Sequence, residues 1–164
     1  MHSRMGGKKS FMAVKLDISK AYDRVEWRFF KETMKRLEFA TRWRQLIMMC
    51  VTTVQYSVVV NGETCGHILP TRGLRQRDPI SPYLFLICAE ALSSMLSWAN
   101  LEGALTGVPT SRRCPRISYL FFTDDSFLFC RANIQQWNCL SNILKTYEEA
   151  SGQRLNSNKT ALFL

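Results

Sequence analysis

Apolar and polar residues alternate with a period of two over residues 11–18, which predicts a strand. The period then lengthens: Val25, Phe29, Phe30, Met34 and Leu37 recur at helical spacing, predicting a helix over about residues 25–39 and a second over 43–52. Residues 55–60 return to strand character and run into Asn61-Gly62, a pair suited to the φ > 0 positions of a type I′ turn. A hairpin closing near residue 69 is therefore predicted. Residues 79–98 read as a long apolar-rich helix, with Pro79, Ser81 and Pro82 at its start. After a loop over 103–115, two short apolar runs, 117–122 and 127–130, read as buried strands joined by a turn. Asn133 is predicted to cap a helix that reaches residue 150 and stops at Ser151-Gly152, and a last strand covers 160–164. This order of elements predicts an α/β or α+β domain, with no repeat, low-complexity tract or linker.

The turn between the two apolar runs carries Asp124 and Asp125. Two carboxylates held there repel each other by on the order of 1 to 4 kcal/mol at surface-like dielectric, a cost that a divalent cation removes. Asp17, at the end of the first strand, is a second acidic position. If that strand lies beside the Asp124-Asp125 hairpin, three carboxylates from distant segments converge, enough to hold two Mg²⁺ ions. The plainer alternative makes Asp17 an N-cap or turn residue. For Asp23 a capping role ahead of the helix is the preferred reading.

With 164 residues, 46% of them hydrophobic, the chain has material for the core of one ordinary domain. Twenty-two Lys and Arg against 13 acids give a net charge of +9, which favours a polyanionic partner such as nucleic acid. Six widely spaced cysteines without a C-x-x-C pair read as reduced core residues of an intracellular protein. The basic N-terminus has no signal-peptide core behind it, and no apolar stretch approaches the ~20 residues that span a bilayer. A soluble protein without a membrane partner is expected.

Four blocks occur in order: Leu16-Asp17-Ile18-Ser19-Lys20-Ala21-Tyr22-Asp23-Arg24-Val25-Glu26-Trp27; Arg72-Gly73-Leu74-Arg75-Gln76-Arg77-Asp78-Pro79-Ile80-Ser81-Pro82; Phe122-Thr123-Asp124-Asp125; and Ser151-Gly152-Gln153-Arg154-Leu155-Asn156 with Lys159-Thr160. With them the chain, over about residues 8–164, resembles the reverse transcriptase domain of plant LINE-type (non-LTR) retrotransposons. The resemblance implies an α+β polymerase palm, an antiparallel sheet packed on helices, that copies RNA into DNA. It implies as partners an RNA template, a DNA primer and deoxynucleoside triphosphates, and, by analogy, action in the nucleus. The family's fingers and thumb are expected to be missing, leaving residues 1–164 as a single partial palm domain.

The resemblance also assigns roles. Asp17, Asp124 and Asp125 become ligands of two Mg²⁺ ions, for which Mn²⁺ can substitute, with the Ile18 carbonyl as a further oxygen. Such ions would activate the primer 3′-hydroxyl and neutralise the triphosphate. Tyr22 stands where the family places a ring that excludes a 2′-hydroxyl, although a tyrosine there could simply pack on the helix. Gln76 would sit near the nucleotide. Arg77 replaces the glycine usual after that glutamine; at φ > 0 an arginine costs roughly 1 kcal/mol or more, while its charge could still contact a phosphate. Thr123 is a milder departure, from alanine. Lys159 matches a late lysine that is a candidate general acid or electrostatic clamp, a solvated surface lysine being the alternative. Trp27, Trp43, Phe29 and Phe30 are expected to fill the core, while Arg112, Arg113 and Arg116 either touch a phosphate backbone or form a solvated loop. The competing readings are a decayed, inactive retroelement fragment that binds nucleic acid only through its charge, and a metal-dependent nuclease, which would leave the Tyr22 and Gln76 blocks without a role.

Overall fold

In the computed structural model, which describes residues 10–111, 114–122, 125–156 and 158–163 and gives Phe122 and Asp125 by their backbone alone, the period-two segment forms β1, Phe11–Ser19. Met12, Val14 and Leu16 are buried, while Phe11, Ala13, Lys15 and Asp17 between them are only half-buried, as a strand with one covered face requires. A slip of one residue would exchange the two sets, so this alternation holds the register.

The chain divides into two compact units, one of Met1–Ser19, Leu92–Glu148 and Arg154–Leu164, the other of Lys20–Ala91 and Glu149–Gln153. The first is built on a five-stranded antiparallel sheet. β6 (Tyr119–Phe122), β7 (Asp125–Arg131) and β1 are neighbours in that order, and β8 (Arg154–Leu155) and β9 (Ala161–Phe163) share the far edge of β1. Buried Leu128 and Cys130 oppose Val14 and Met12 across the ladder. Two helices contribute: the second half of α3 (Ser81–Leu101) and most of α4 (Ile134–Ser151). Ser93 and Ser97 of α3 hydrogen-bond the Tyr119 hydroxyl of β6 at 2.8 and 3.1 Å. Asn133 caps α4 as predicted, its Oδ1 accepting the Gln136 N–H at 2.8 Å, and Gly152 follows the helix at φ +76°.

The second unit holds α1 (Trp27–Arg36), α2 (Thr41–Thr52), the hairpin of β2 (Tyr56–Val60) and β3 (Glu63–Ile68), and the first half of α3. Asn61 and Gly62 take φ +51° and +86°, the handedness the hairpin turn needs. Phe30 and Met34 are completely buried on α1, each worth about 1.5–3 kcal/mol of burial.

Several expectations are corrected. α1 starts at Trp27 rather than residue 25, and α3 starts at Ser81, after a turn in which the Asp78 carboxylate accepts the Ile80 N–H at 3.0 Å. The two-residue strands β4 (Val108–Pro109), inside the predicted loop, and β5 (Arg116–Ile117), just beyond its end, pair with each other and, like β8, are too short to show a period. Of the four aromatics assigned to the core only Phe30 is buried; Trp43 is exposed and stacks on Phe39. The strands flanking the acids are covered only at alternate positions, Leu120 being exposed. Finally, α3 is long and apolar enough to cross a membrane by length and composition, contrary to expectation. Part of that composition is a buried stripe of Leu84, Cys88, Leu92, Leu96 and Ala99, whereas Tyr83, Leu86, Trp98 and Leu101 are exposed.

The cysteines also divide. All six are thiols outside any disulfide, with Cys50, Cys65 and Cys114 exposed and Cys88 and Cys130 buried. Burial pushes the Cys88 thiol up to about 12, and burial with the neighbouring Cys139 pushes Cys130 up to about 11. Because the thiolate is the nucleophile, timed alkylation followed by peptide mass mapping is expected to label the three exposed cysteines in the native chain, and Cys88 and Cys130 only after denaturation.

Candidate active site

In the sheet unit, the register of β1 against β7 sets Asp17 directly opposite Asp125. Asp17 lies on the half-covered face because Leu16 before it occupies the buried one, so the carboxylate is not sealed into the core. Phe122 and Asp125 are register partners across the hairpin. Asp125 therefore opens β7 instead of sitting in the turn. Thr123 and Asp124 lie outside the described residues, as do Arg112 and Arg113.

Asp17 is fixed from its other side. Its carbonyl accepts the Asn156 N–H at 2.8 Å, and Ile18 and Ser19 pair with Leu155 and Arg154 of β8. The Asn156 carbonyl in turn accepts the N–H groups of Lys159 at 3.1 Å and Thr160 at 2.8 Å, which places exposed Lys159 in a turn anchored to the Asp17 strand. Sequence reasoning gave Asn156 no role. Among the described residues no group of three His, Cys, Asp or Glu is gathered to hold an ion, Asp124 being outside them. The donors do fit Mg²⁺, a hard ion that takes carboxylate and carbonyl oxygens, and two acidic positions face each other across one ladder rung.

In the other unit three of the four blocks bind one another around Tyr22. The Tyr22 carbonyl accepts the Leu74 N–H at 2.9 Å, the Val25 carbonyl accepts the Gly73 N–H at 2.8 Å, and the Trp27 indole donates to the Gly73 carbonyl at 2.8 Å. Gly73, at φ +90°, is required: a Cβ there would stand 2.7 Å from the Asp23 carbonyl oxygen. Arg72 and Glu26 form an ion pair at 3.5 Å, and the Glu26 N–H donates to the Ser151 carbonyl at 2.8 Å. The Tyr22 ring, half-buried, stacks on Phe85 with centroids 4.7 Å apart.

Asp23 corrects a sequence expectation. The N-cap of α1 is Glu26, without a side-chain cap bond, while the exposed Asp23 carboxylate accepts the Gln76 amide at 2.8 Å. The partner lies 53 residues away in sequence, out of reach of a local capping argument. Gln76 and Arg77 are both exposed on the loop before α3. Arg77 has φ +62°, the left-handed conformation that favours glycine. Arg77→Gly is accordingly expected to stabilise the chain by about 1 kcal/mol, read as a rise of about 2–4 °C in a thermal melt. Of the arginine cluster, Arg116 sits in β5 and donates to the Gly107 carbonyl at 3.2 Å.

Comparison with known proteins agrees with this arrangement. The profile of the family described as Reverse transcriptase (RNA-dependent DNA polymerase) matches residues 2–164, and the chain belongs to that family. A Pol polyprotein from the type-1 retrotransposable element R2 of Popillia japonica is 30% identical over 153 residues, covering 93% of this chain and 24% of that protein. An uncharacterised mitochondrial protein of Arabidopsis thaliana is 47% identical over 68 residues, 42% of this chain and 56% of that one. The chain thus spans about a quarter of the R2 polyprotein and just over half of the mitochondrial protein. A solved telomerase of Candida albicans superposes with a TM-score of 0.70 at 14% identity, over 98% of this chain and 28% of that one, a likeness of fold. The mixed helical and antiparallel architecture is thus that of a polymerase palm.

Proposed function

We propose that this chain is the palm of an RNA-directed DNA polymerase from a LINE-type, non-LTR retrotransposon of plants, and that it extends a DNA primer on an RNA template. The observation that carries this reading is the register of Asp17 opposite Asp125 in a chain that belongs to the reverse transcriptase family. The four sequence blocks and the Arabidopsis relative support the plant assignment. Nuclear action belongs to the same proposal and rests on analogy with other retrotransposons.

Reverse transcriptases are generally dependent on divalent metals. Asp17, Asp124 and Asp125 would hold two Mg²⁺ ions, the Ile18 carbonyl adding an oxygen and Mn²⁺ serving as a substitute. When bound, the ions supply activation of the primer 3′-hydroxyl and neutralisation of triphosphate charge. The chain's own groups do the rest. Tyr22, held by its carbonyl and its stack on Phe85, presents a ring edge that excludes a 2′-hydroxyl. Gln76, held by Asp23, faces the nucleotide from the loop, and the neighbouring Arg77 offers a guanidinium to a phosphate. Lys159 supplies a proton or a positive charge to the departing pyrophosphate.

Arg77 at φ +62° favours the alternative of a decayed fragment, but it leaves the acidic register intact. Primer extension separates the two readings. Residues 8–164, grafted for the matching segment of an active R2-type polymerase, are expected to copy an RNA template with Mg²⁺, and Asp124→Ala to abolish copying. Silence relieved by Arg77→Gly would point to decay at the loop. A folded graft silent in both forms would contradict the polymerase reading.

A further inference from the structure

We infer that Gln153 is a positioning residue for sugar discrimination: its buried amide tethers the backbone immediately before Tyr22 and so sets where the Tyr22 ring stands. The inference rests on the reading of Tyr22 as the sugar gate. The fourth block divides in the structure. Asn156 and Lys159 belong to the sheet unit with Asp17, whereas Ser151, Gly152 and Gln153 belong to the unit that holds Tyr22.

Gln153 is 1% exposed, and an amide is costly to bury unless its groups are bonded. Its Nε2 donates to the Ala21 carbonyl at 2.7 Å, across 132 positions of sequence. Its own N–H donates to the Ser151 hydroxyl at 3.2 Å, and the Ser151 carbonyl receives the Glu26 N–H at 2.8 Å. Gly152 stands between them at φ +76°, where a Cβ would lie 2.7 Å from the Arg24 carbonyl oxygen. Residues 151–153 therefore grip the segment 21–26 at both ends and approach it closely in the middle. With Leu74 bonded to the Tyr22 carbonyl and Phe85 stacked on its ring, Gln153 adds a restraint at the residue immediately N-terminal to the tyrosine. A gate that tells hydrogen from hydroxyl at one carbon works on a tolerance below an ångström, so a backbone tether one residue away governs it directly.

The test measures kcat/KM for a deoxynucleotide and the matching ribonucleotide in the grafted polymerase. Gln153→Met keeps the volume and removes the donor, and is expected to lower the deoxy/ribo ratio by about 10–100-fold, the cost of a displacement near 1 Å. Adding Tyr22→Val to that variant is expected to lower the ratio little further. A ratio unchanged in Gln153→Met, while Tyr22→Val alone lowers it, overturns the role of Gln153 and spares the gate. A ratio unchanged in Tyr22→Val removes the gate and the inference together. Should Gln153→Met fail to fold, Gln153→Glu decides. That side chain keeps the shape and donates only when protonated, and burial raises its pKa, so the ratio is expected to recover as pH falls; a flat pH profile overturns the tether.

Discussion

Asp17→Asn is expected to lower the single-turnover rate of primer extension by at least about 10³-fold, the ~4 kcal/mol carried by a lost metal ligand. The substitution keeps shape and removes one charge. Asp17 sits directly opposite a second acid on the β1–β7 ladder, and like charges so placed destabilise a sheet by roughly 0.2–1 kcal/mol. The same variant is therefore expected to melt slightly higher than the wild type in the absence of metal. Lost activity joined to gained stability is the signature of a residue retained for chemistry. A drop in both would make Asp17 a structural residue and remove the basis for the site.

Gly73→Ala is expected to destabilise the chain by on the order of 3 kcal/mol and to cut extension by about 100-fold. The stability cost combines a left-handed φ of +90°, roughly 1–2 kcal/mol for an alanine, with the loss of backbone bonds worth ~1 kcal/mol each. The added methyl carbon meets the Asp23 carbonyl at 2.7 Å, which is backbone and cannot swing aside. The loop must therefore move off residues 22–25, breaking the Gly73–Val25 and Leu74–Tyr22 bonds and the Gln76–Asp23 contact. Displacement of Gln76 and Tyr22 accounts for the rate. A chemical melt and a steady-state assay on the same preparation check both halves. A destabilised variant with unaltered kinetics would show that the loop does not touch the nucleotide.

What the sequence revealed follows from how far each signal reaches along the chain. The alternation of β1, the helical spacing of α1 and the Asn61-Gly62 turn are local, and the structure carries them. The meeting of Asp17 with Asp125 was legible because adjacent carboxylates beside an apolar strand make chemical sense only with a partner. Asp23 was misread because a carboxylate just ahead of a helix looks like a cap, while its bond partner, Gln76, is remote in sequence. Gln153 and Asn156 carried no signal beyond membership of a block; their work is a hydrogen bond to a distant backbone carbonyl, which leaves no periodic trace. Exposure was the least legible property. Every residue of the β2–β3 hairpin is exposed, including Val58, Val59 and Val60, because β-branched strand character marks the element and not whether a face of it is covered.

The most direct measurement is a count of bound Mn²⁺ by electron paramagnetic resonance, made on the grafted polymerase with primer, RNA template and a non-reactive deoxynucleotide analogue. Two ions per molecule in the wild type and fewer in Asp17→Asn are the predicted result. The same count in both would contradict the assignment of Asp17, with Asp124 and Asp125, as the metal site.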